Sequence, residues 1–186
     1  MRMSYRAFVV AVLLAFTAAV PNSAREQAPR EPDVVFVPTP PDVVDAMLKL
    51  AKVTSSDVVY DLGSGDGRIL IAAAKTYAAH GVGNDIDPER VREATANARA
   101  SNVADKVTFR REDLFVADIS PATVVTLYLS PSVNSRLAPK LMMELKPGTR
   151  IVSHAFDLGS WKPLQRITVS GRPLFFWTVA APRGSQ

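Results

Sequence analysis

Residues 58–68 read VVYDLGSGDGR, an apolar run followed by three glycines at alternate positions, Gly63, Gly65 and Gly67. The apolar run predicts a buried strand, and the apolar residues from Arg68 onward predict a helix. Glycines at such a turn let a ligand approach the backbone, and the free N–H groups of the following helix favour binding there. A strand, a glycine loop and a helix in this order constrain the chain to an α/β fold with a ligand site at the carboxyl edge of its sheet.

The alternation of strands and helices continues along the chain. Thr39 is predicted to cap the first helix with its hydroxyl, and Asp87 with Pro88 is predicted to start the third. Near the C-terminus, Ser170 and Gly171 form a two-residue turn between two apolar runs, which predicts a hairpin. The pattern predicts a Rossmann-like, doubly wound, mostly parallel seven-strand α/β sheet with a C-terminal antiparallel hairpin. The predicted strands are 57–60, 82–85, 106–110, 122–129, 150–154, 164–169 and 172–179, and the predicted helices are 39–52, 68–79, 88–100 and 134–145.

The amino-acid composition excludes several kinds of catalytic and metal site. The 186 residues are 47% apolar and 22% charged, as in an ordinary globular domain. The absence of cysteine excludes disulfides, thiol nucleophiles and thiolate metal sites, and His80 and His154 are too few and too far apart to predict a metal site.

The N-terminus has the composition of a leader. Arg2 and Arg6 precede an apolar run over residues 7–20 and the small-residue sequence PNSA, which is typical of an export signal, and a retained membrane anchor is the alternative. We therefore expect a signal or anchor at 1–24, a linker at 25–33, a catalytic domain at 34–182 and a periplasmic or membrane-anchored location. Removal of the leader leaves 20 basic and 18 acidic residues, which is a weak electrostatic argument for nucleic acid.

The carboxylate of Asp61 helps to decide which class of ligand the glycine loop binds. A dinucleotide fingerprint is GxGxxG, whereas this loop is GxGxG, and a carboxylate at residue 61 would repel a diphosphate. S-adenosylmethionine carries an ammonium and a sulfonium, so a carboxylate there favours it. The alternative is that the glycine loop is only a tight turn between strand and helix and binds no ligand. Asp85 lies 18 residues beyond Gly67, close to the offset of about 20 at which an acid accepts ribose hydroxyls, and Asp113 follows the third strand, placed for the adenine amino group.

The segments VVYDLGSGDGR, GVGNDID, REDLF and VVTLYLSPSVN, with FVPTPPDVV upstream and IVSHAFDLGSW downstream, closely resemble class I, seven-strand S-adenosylmethionine-dependent methyltransferases. FVPTP and VTLYL resemble the compact group that includes an archaeal broad-range protein-lysine methyltransferase and the mitochondrial enzymes that methylate lysine on the c-subunit of ATP synthase. The resemblance implies that Tyr128 faces the methyl acceptor. It implies a cofactor site formed by Phe36, Pro38, Thr39, Asp61, Gly63, Ser64, Gly65, Asp85, Ile86, Asp113 and Leu114.

Four aromatic side chains are candidates for the acceptor side. A lysine acceptor must lose a proton before it can attack, and apolar or aromatic walls favour its neutral form. Phe36, Tyr128, Phe156 and Trp161 could supply such walls, although Tyr128 could equally be a core residue and packing onto the sheet edge is the favoured role of Phe156 and Trp161. His154 either hydrogen-bonds the substrate or caps its strand. The related enzymes commonly have an acid where this chain has Ala155, and Asp157 is the neighbouring carboxylate that could take its place.

No insertion is long enough to form a lid, so we expect an open acceptor site, which suits a macromolecule. We rank protein lysine first as the acceptor and a small molecule second. Nucleic acid is disfavoured because the strand-four segment TLYLSPSVN lacks an Asn-Pro-Pro-aromatic motif and the mature charge is near neutral. A non-catalytic protein that binds S-adenosylmethionine is the remaining alternative.

Overall fold

The computed structural model describes residues 31–181, which fold around one seven-stranded sheet. Its first five strands alternate with helices along the chain, and the last two form a hairpin. The strands are β1 (Val58–Leu62), β2 (His80–Asp85), β3 (Val107–Arg111), β4 (Val124–Leu127), β5 (Arg150–His154), β6 (Gln165–Val169) and β7 (Arg172–Thr178).

The sheet has the strand order β3-β2-β1-β4-β5-β7-β6. The pairs from β3 through β5 are parallel, and β7 runs antiparallel to both β5 and β6. The order reverses at β1, from which the chain continues first to β2 and later to β4. Crevices at such a switch point, beyond the carboxyl ends of the strands, are where ligands bind. The predicted fold class is confirmed.

Helices cover both faces of the sheet. Three of them pack their apolar sides on one face, where the core includes Met47, Leu70 and Val59, and the fourth covers the other face around Leu137 and Leu62. Each face buries aliphatic side chains, which is the main stabilising contribution to such a domain. The helices are α1 (Pro41–Leu50), α2 (Arg68–Tyr77), α3 (Pro88–Ala100) and α4 (Pro131–Glu144).

Several predicted boundaries were wrong. Thr39 does not cap α1: Pro40 is the N-cap, and the Thr39 hydroxyl lies 3.3 Å from Nδ1 of His154 instead. Strand β2 begins at His80, two residues earlier than predicted, because it pairs with β1 from its first residue. Helix α4 begins at Pro131, three residues early, because the Ser130 hydroxyl accepts a hydrogen bond from a backbone N–H of its first turn. The predicted Asp87 cap is confirmed, since its carboxylate accepts from the N–H of Glu89.

The predicted leader and most of the predicted linker lie outside the described residues. Within 31–181, no helix is both long and apolar enough to cross a bilayer. The export signal, the membrane association and the location outside the cytoplasm stay predictions.

Candidate active site

A cavity of about 310 Å³ opens at the carboxyl edge of the sheet, where β1, β2, β3 and β4 end. The segment of residues 32–39, here called the strap, borders one side of it. Of the eleven residues predicted to bind the cofactor, all except Gly65 line this cavity. The structure therefore brings together at one site residues that are separated by up to 78 positions in the sequence, from Phe36 to Leu114.

Asp61 is buried at the end of β1, with 2% of its surface exposed. Its Oδ1 accepts a hydrogen bond of 2.7 Å from the Thr126 hydroxyl on β4. Burial raises the pKa of Asp61 to about 7, the Thr126 hydrogen bond opposes that rise, and the nearby Asp85 and Asp66 carboxylates add to it. A buried carboxylate with a raised pKa is stabilised in its charged form by an incoming cation, so this position favours a ligand group that is positively charged.

Asp85 joins the end of β2 to the glycine loop. Its two carboxylate oxygens accept from the backbone N–H groups of Gly65 at 2.9 Å and Asp87 at 3.0 Å. Burial raises the pKa of Asp85, and these two hydrogen bonds oppose that rise. The side chain is half-buried and lines the cavity. Its remaining acceptor capacity can serve a ligand hydroxyl, while its backbone contacts fix its orientation.

The strap closes over the glycine loop through Phe36. A Cβ added at Gly65, whose φ is +52°, would collide with the Phe36 ring, so a glycine is needed for this close approach. The Arg90 guanidinium lies 5.0 Å from the centroid of the same ring, within cation–π range. Arg68 ties the strap to the loop, since it donates to the Thr39 carbonyl at 2.9 Å and pairs with Asp66 at 2.5 Å.

Three further polar side chains line the cavity at and near Asp113, the residue predicted to bind the adenine of the cofactor. Asp113 follows β3 and, with its neighbour Leu114, lines the cavity as predicted. Asn84 and Glu112, which the sequence reasoning did not assign to the site, also line it, and the Asn84 amide donates to Glu112 at 2.5 Å. The parallel register that pairs Asn84 with Arg110, two residues before Glu112, is the signal that could have found this pair.

Two buried polar atoms in the cavity wall have no hydrogen-bond partner among the described residues. They are Oγ of Ser64 and Oδ1 of Asn84, on residues that are 5% and 1% exposed. Buried polar groups are nearly always paired in folded proteins, and an unpaired one costs about 1–3 kcal/mol. Both residues line the cavity, but the two unpaired atoms themselves are covered by neighbouring residues.

On the acceptor side, Tyr128 lines the cavity and is half-buried. Its ring centroid lies 3.9 Å from that of His154, with 35° between the planes. Burial, with a smaller contribution from the Arg172 charge, lowers the pKa of His154 to about 4, so the imidazole is neutral near pH 7. His154 does not line the cavity, and the two predicted roles, a substrate contact and a strand cap, stay predictions.

Phe156 and Trp161 do not line the cavity. The Phe156 carbonyl accepts from the side chains of Ser153 and Asn134, which closes the turn after β5. Trp161 packs on the core that lies under α4, and its carbonyl accepts from the Trp177 indole at 2.8 Å. Trp161 thus packs on the core, while the hydrogen bonds of Phe156 described here are made by its backbone, and an acceptor-side role for either side chain stays a prediction.

Asp157 also lies away from the cavity, and its carboxylate accepts from the N–H of Gly159 in its own loop. Its role as a replacement for an acid at Ala155 stays a prediction. Ala155 itself has a φ of +67°, a left-handed conformation that alanine adopts at a cost.

The cavity wall is strongly acidic. Arg68 and Arg90 are the basic residues among those that line it, and both point to partners already described. Among residues 31–181, no cluster of three or more potential metal ligands occurs. The seven acidic residues that line the cavity are Asp33, Asp61, Asp66, Asp85, Asp87, Glu112 and Asp113.

Comparison with known proteins agrees with this site. Residues 61–165 match the profile of the ANTKMT methyltransferase domain. A protein-lysine N-methyltransferase of Saccharolobus islandicus is 50% identical over 139 residues, which is 74% of this chain and 86% of that protein. The human lysine N-methyltransferase of the ATP synthase C-subunit is 31% identical over 129 residues, or 69% of this chain, and the match spans 54% of its own length.

One similar solved structure contains the demethylated cofactor. The crystal structure of an RNA methyltransferase from Salinibacter ruber in complex with S-adenosyl-L-homocysteine is 55% identical, with a TM-score of 0.78. The match covers 81% of this chain and 98% of that one.

The fold, the acid-lined cavity and these similarities define a class I S-adenosylmethionine-dependent methyltransferase. Within that class, the chain belongs to the ANTKMT methyltransferase domain family. The predicted cofactor is confirmed, and so is the resemblance to the compact lysine methyltransferase group. Contact of the individual cavity residues with the cofactor stays a prediction.

Proposed function

We propose that this methyltransferase transfers a methyl group from S-adenosylmethionine to the side-chain amine of lysine in a protein. The single observation that carries the proposal is the charge of the cavity wall, which contains seven acidic residues and two arginines. An acidic wall attracts a cationic amine as well as a cationic cofactor. The names of the archaeal and human relatives, which are 50% and 31% identical, support the same acceptor.

The residues of the site fit the cofactor in a definite order. Asp61, at the end of β1, would hold the ammonium of the methionine portion, since its buried carboxylate contacts no opposite charge within residues 31–181. Asp85 would accept from the ribose hydroxyls, and Asp113 from the adenine amine. S-adenosylmethionine supplies a methyl group that its sulfonium has already activated for displacement.

The remaining work of the protein is alignment and desolvation. The transfer is an in-line displacement, so the acceptor nitrogen, the methyl carbon and the leaving sulfur must be collinear, and a bound geometry of this kind lowers the barrier substantially. The acceptor amine has a free pKa of about 10.4 and must be neutral to attack. Tyr128 and Phe36 border the cavity and would form the aromatic walls that favour the neutral amine.

RNA is a second candidate acceptor because the Salinibacter ruber structure is described as an RNA methyltransferase at 55% identity. The cavity of the present protein argues against it. RNA carries a phosphate for every nucleotide, and binding to it relies on Lys and Arg contacts. Acidic residues outnumber basic ones by seven to two in the cavity wall, so the cavity offers few of the Lys and Arg contacts on which RNA binding relies.

The test uses labelled S-adenosylmethionine and the full chain with a cell lysate. Samples are divided after the reaction and treated with protease, with ribonuclease or by filtration through a small-cutoff membrane. We expect the label to be released by protease alone, to appear as methyl-lysine after acid hydrolysis, and to be lost with Asp61→Ala. Label that is released by ribonuclease would establish RNA as the acceptor, and label in the filtrate would establish a small molecule.

A further inference from the structure

The residues that end β4 and β5 meet at the acceptor side of the cavity. The parallel register places Leu127 opposite Ser153, so the next residues, Tyr128 and His154, extend side by side beyond the two strands. Their rings come into contact, with 3.9 Å between the centroids. Thr39, at the end of the strap, approaches the same imidazole from a third element, with its hydroxyl 3.3 Å from Nδ1.

The chemistry of His154 is unexpected for a residue that only packs. The side chain is 1% exposed, and its Nε2 has no hydrogen-bond partner among residues 31–181. Leaving a polar atom buried and unpaired costs about 1–3 kcal/mol, whereas phenylalanine would fill a similar volume without that cost. A residue that is costly for stability at the edge of a functional cavity suggests a functional reason for its retention.

The environment keeps the imidazole uncharged. Burial and the Arg172 charge favour the neutral form of His154. A neutral ring can stack on Tyr128 without adding a second positive charge close to the sulfonium of the cofactor. A protonated imidazole in the same place would oppose binding of both the cofactor and a cationic acceptor.

Tyr128 contacts both His154 and the cavity. Its ring packs against the His154 ring, and the residue also lines the cavity. The His154 ring is the aromatic contact of Tyr128 described in this part of the chain, and it is placed to fix the direction of the Tyr128 ring. A change of about 1 Å in such a wall can cost on the order of 100-fold in rate when the reaction depends on collinear alignment.

We propose that His154 is a positioning residue, which orients the Tyr128 ring against the methyl acceptor and links that ring to the strap through Thr39. The inference rests on the proposed function, because it places the acceptor amine beside Tyr128. It differs from a direct catalytic role, since His154 itself does not border the cavity.

The test compares two substitutions that differ in ring shape. His154→Phe keeps a flat ring against Tyr128 but loses the Thr39 contact, and His154→Leu loses both, so we expect kcat to fall about threefold in His154→Phe and about 10-fold in His154→Leu. The affinity for S-adenosylhomocysteine should remain within about twofold in both. His80→Leu is the matched control, since His80 is exposed at the start of β2.

A double-mutant cycle with Tyr128→Ala shows whether His154 acts through Tyr128. We expect His154→Leu to cause no further loss of kcat in the Tyr128→Ala background. If the two substitutions reduced kcat independently, so that their fold losses multiplied, the proposal would be overturned. Equal losses of kcat in the Leu and Phe variants, or a loss of cofactor affinity as large as the loss of kcat, would also overturn it. His154→Gln serves as a second variant without an aromatic ring, and failure of both Leu and Gln variants to fold would assign His154 to core packing instead.

Total transferred methyl is the readout for these variants, whatever molecule accepts it. The identity of the methylated group is determined separately by hydrolysis. A label found outside lysine would overturn the proposed function, whereas a His154→Leu variant with full total transfer would overturn the positioning role alone.

Discussion

The Thr126 hydroxyl donates a hydrogen bond of 2.7 Å to the Asp61 carboxylate, and both side chains are buried, at 0% and 2% exposure. This neutral donor is the hydrogen-bond partner of Asp61 among the described residues. A single hydroxyl does not offset the cost of burying a charge, which is why the pKa of Asp61 rises to about 7. The ammonium of the cofactor would supply the missing opposite charge.

Cofactor binding should therefore depend on pH. Below about pH 7, Asp61 carries a proton in the free protein that must leave when a cation binds, so affinity should fall as the pH drops. We expect the Kd of S-adenosylhomocysteine to rise about 10-fold per pH unit below pH 7 and to level off above pH 8. Titration calorimetry from pH 5.5 to 8.5 measures this, and a Kd that stays constant over that range would contradict the assignment.

The same carboxylate should make the free protein less stable as the pH rises. The folded-state pKa of Asp61 lies above its ordinary value, so between about pH 4 and 7 the native state binds more protons than the unfolded state, and the free energy of unfolding falls. Ionisation of Asp61 accounts for a loss on the order of 4 kcal/mol across that interval.

The variant Asp61→Asn removes this loss, since it keeps an acceptor for Thr126 without a charge. We expect it to be at least as stable as the wild type in urea at pH 8 and to bind the cofactor at least 10-fold more weakly. Asp118→Asn is the control, because Asp118 is exposed and its pKa is lowered by hydrogen bonds from Ser120. A destabilised Asp61→Asn at pH 8 would show that the charge is compensated in the free protein.

Alanine substitutions at Gly65 and Gly148 distinguish the effect of backbone strain from the effect of contact with the strap. Both have positive φ, +52° and +88°, but a Cβ would meet the Phe36 ring at Gly65 and nothing within 4 Å at Gly148. Alanine at either site should cost about 1–2 kcal/mol of unfolding free energy from left-handed strain. Only Gly65→Ala should also displace Phe36 and weaken S-adenosylhomocysteine binding, by about 10-fold. Equal affinities for the two variants would show that the strap does not depend on Gly65.

Trp161 is expected to act on stability alone. Its ring packs beside Trp177, with 6.2 Å between centroids, and it does not border the cavity. Trp161→Ala should therefore lower the free energy of unfolding by about 2–3 kcal/mol, below the range for a fully buried tryptophan because the side chain is partly exposed. Thermal and urea unfolding measure this effect. A large loss of cofactor affinity in a folded Trp161→Ala protein would restore the predicted active-site role.

The sequence predicted the parallel part of the sheet well because its signals are local. The apolar runs at β1, β4 and β5, the glycine loop and the Asp87–Pro88 helix start each lie within a few residues. The positions of Asp61, Asp85 and Asp113 at one sheet edge followed from strand order, since the carboxyl ends of parallel strands share an edge.

Long-range contacts explain what the sequence did not predict. The Thr39 hydroxyl has the right type and position for a helix cap, but it lies 3.3 Å from Nδ1 of His154, 115 residues away, and Pro40 is the N-cap. Asn84 and Glu112 are 28 residues apart and meet only because β2 and β3 are neighbours. Phe156 and Trp161 were acceptor candidates because loops after strands often line active sites, but neither lines the cavity, and the Asn134 amide on α4, 22 residues from Phe156, holds the Phe156 and Asp157 carbonyls.

Binding of S-adenosylhomocysteine to the purified full chain at pH 8 tests most directly whether acids at the sheet edge hold the cofactor. We predict one molecule bound per chain for the wild type and for Asp118→Asn, and a Kd raised at least 30-fold in a folded Asp61→Ala variant. No measurable heat with the wild type, or an unchanged Kd in Asp61→Ala, would contradict the account.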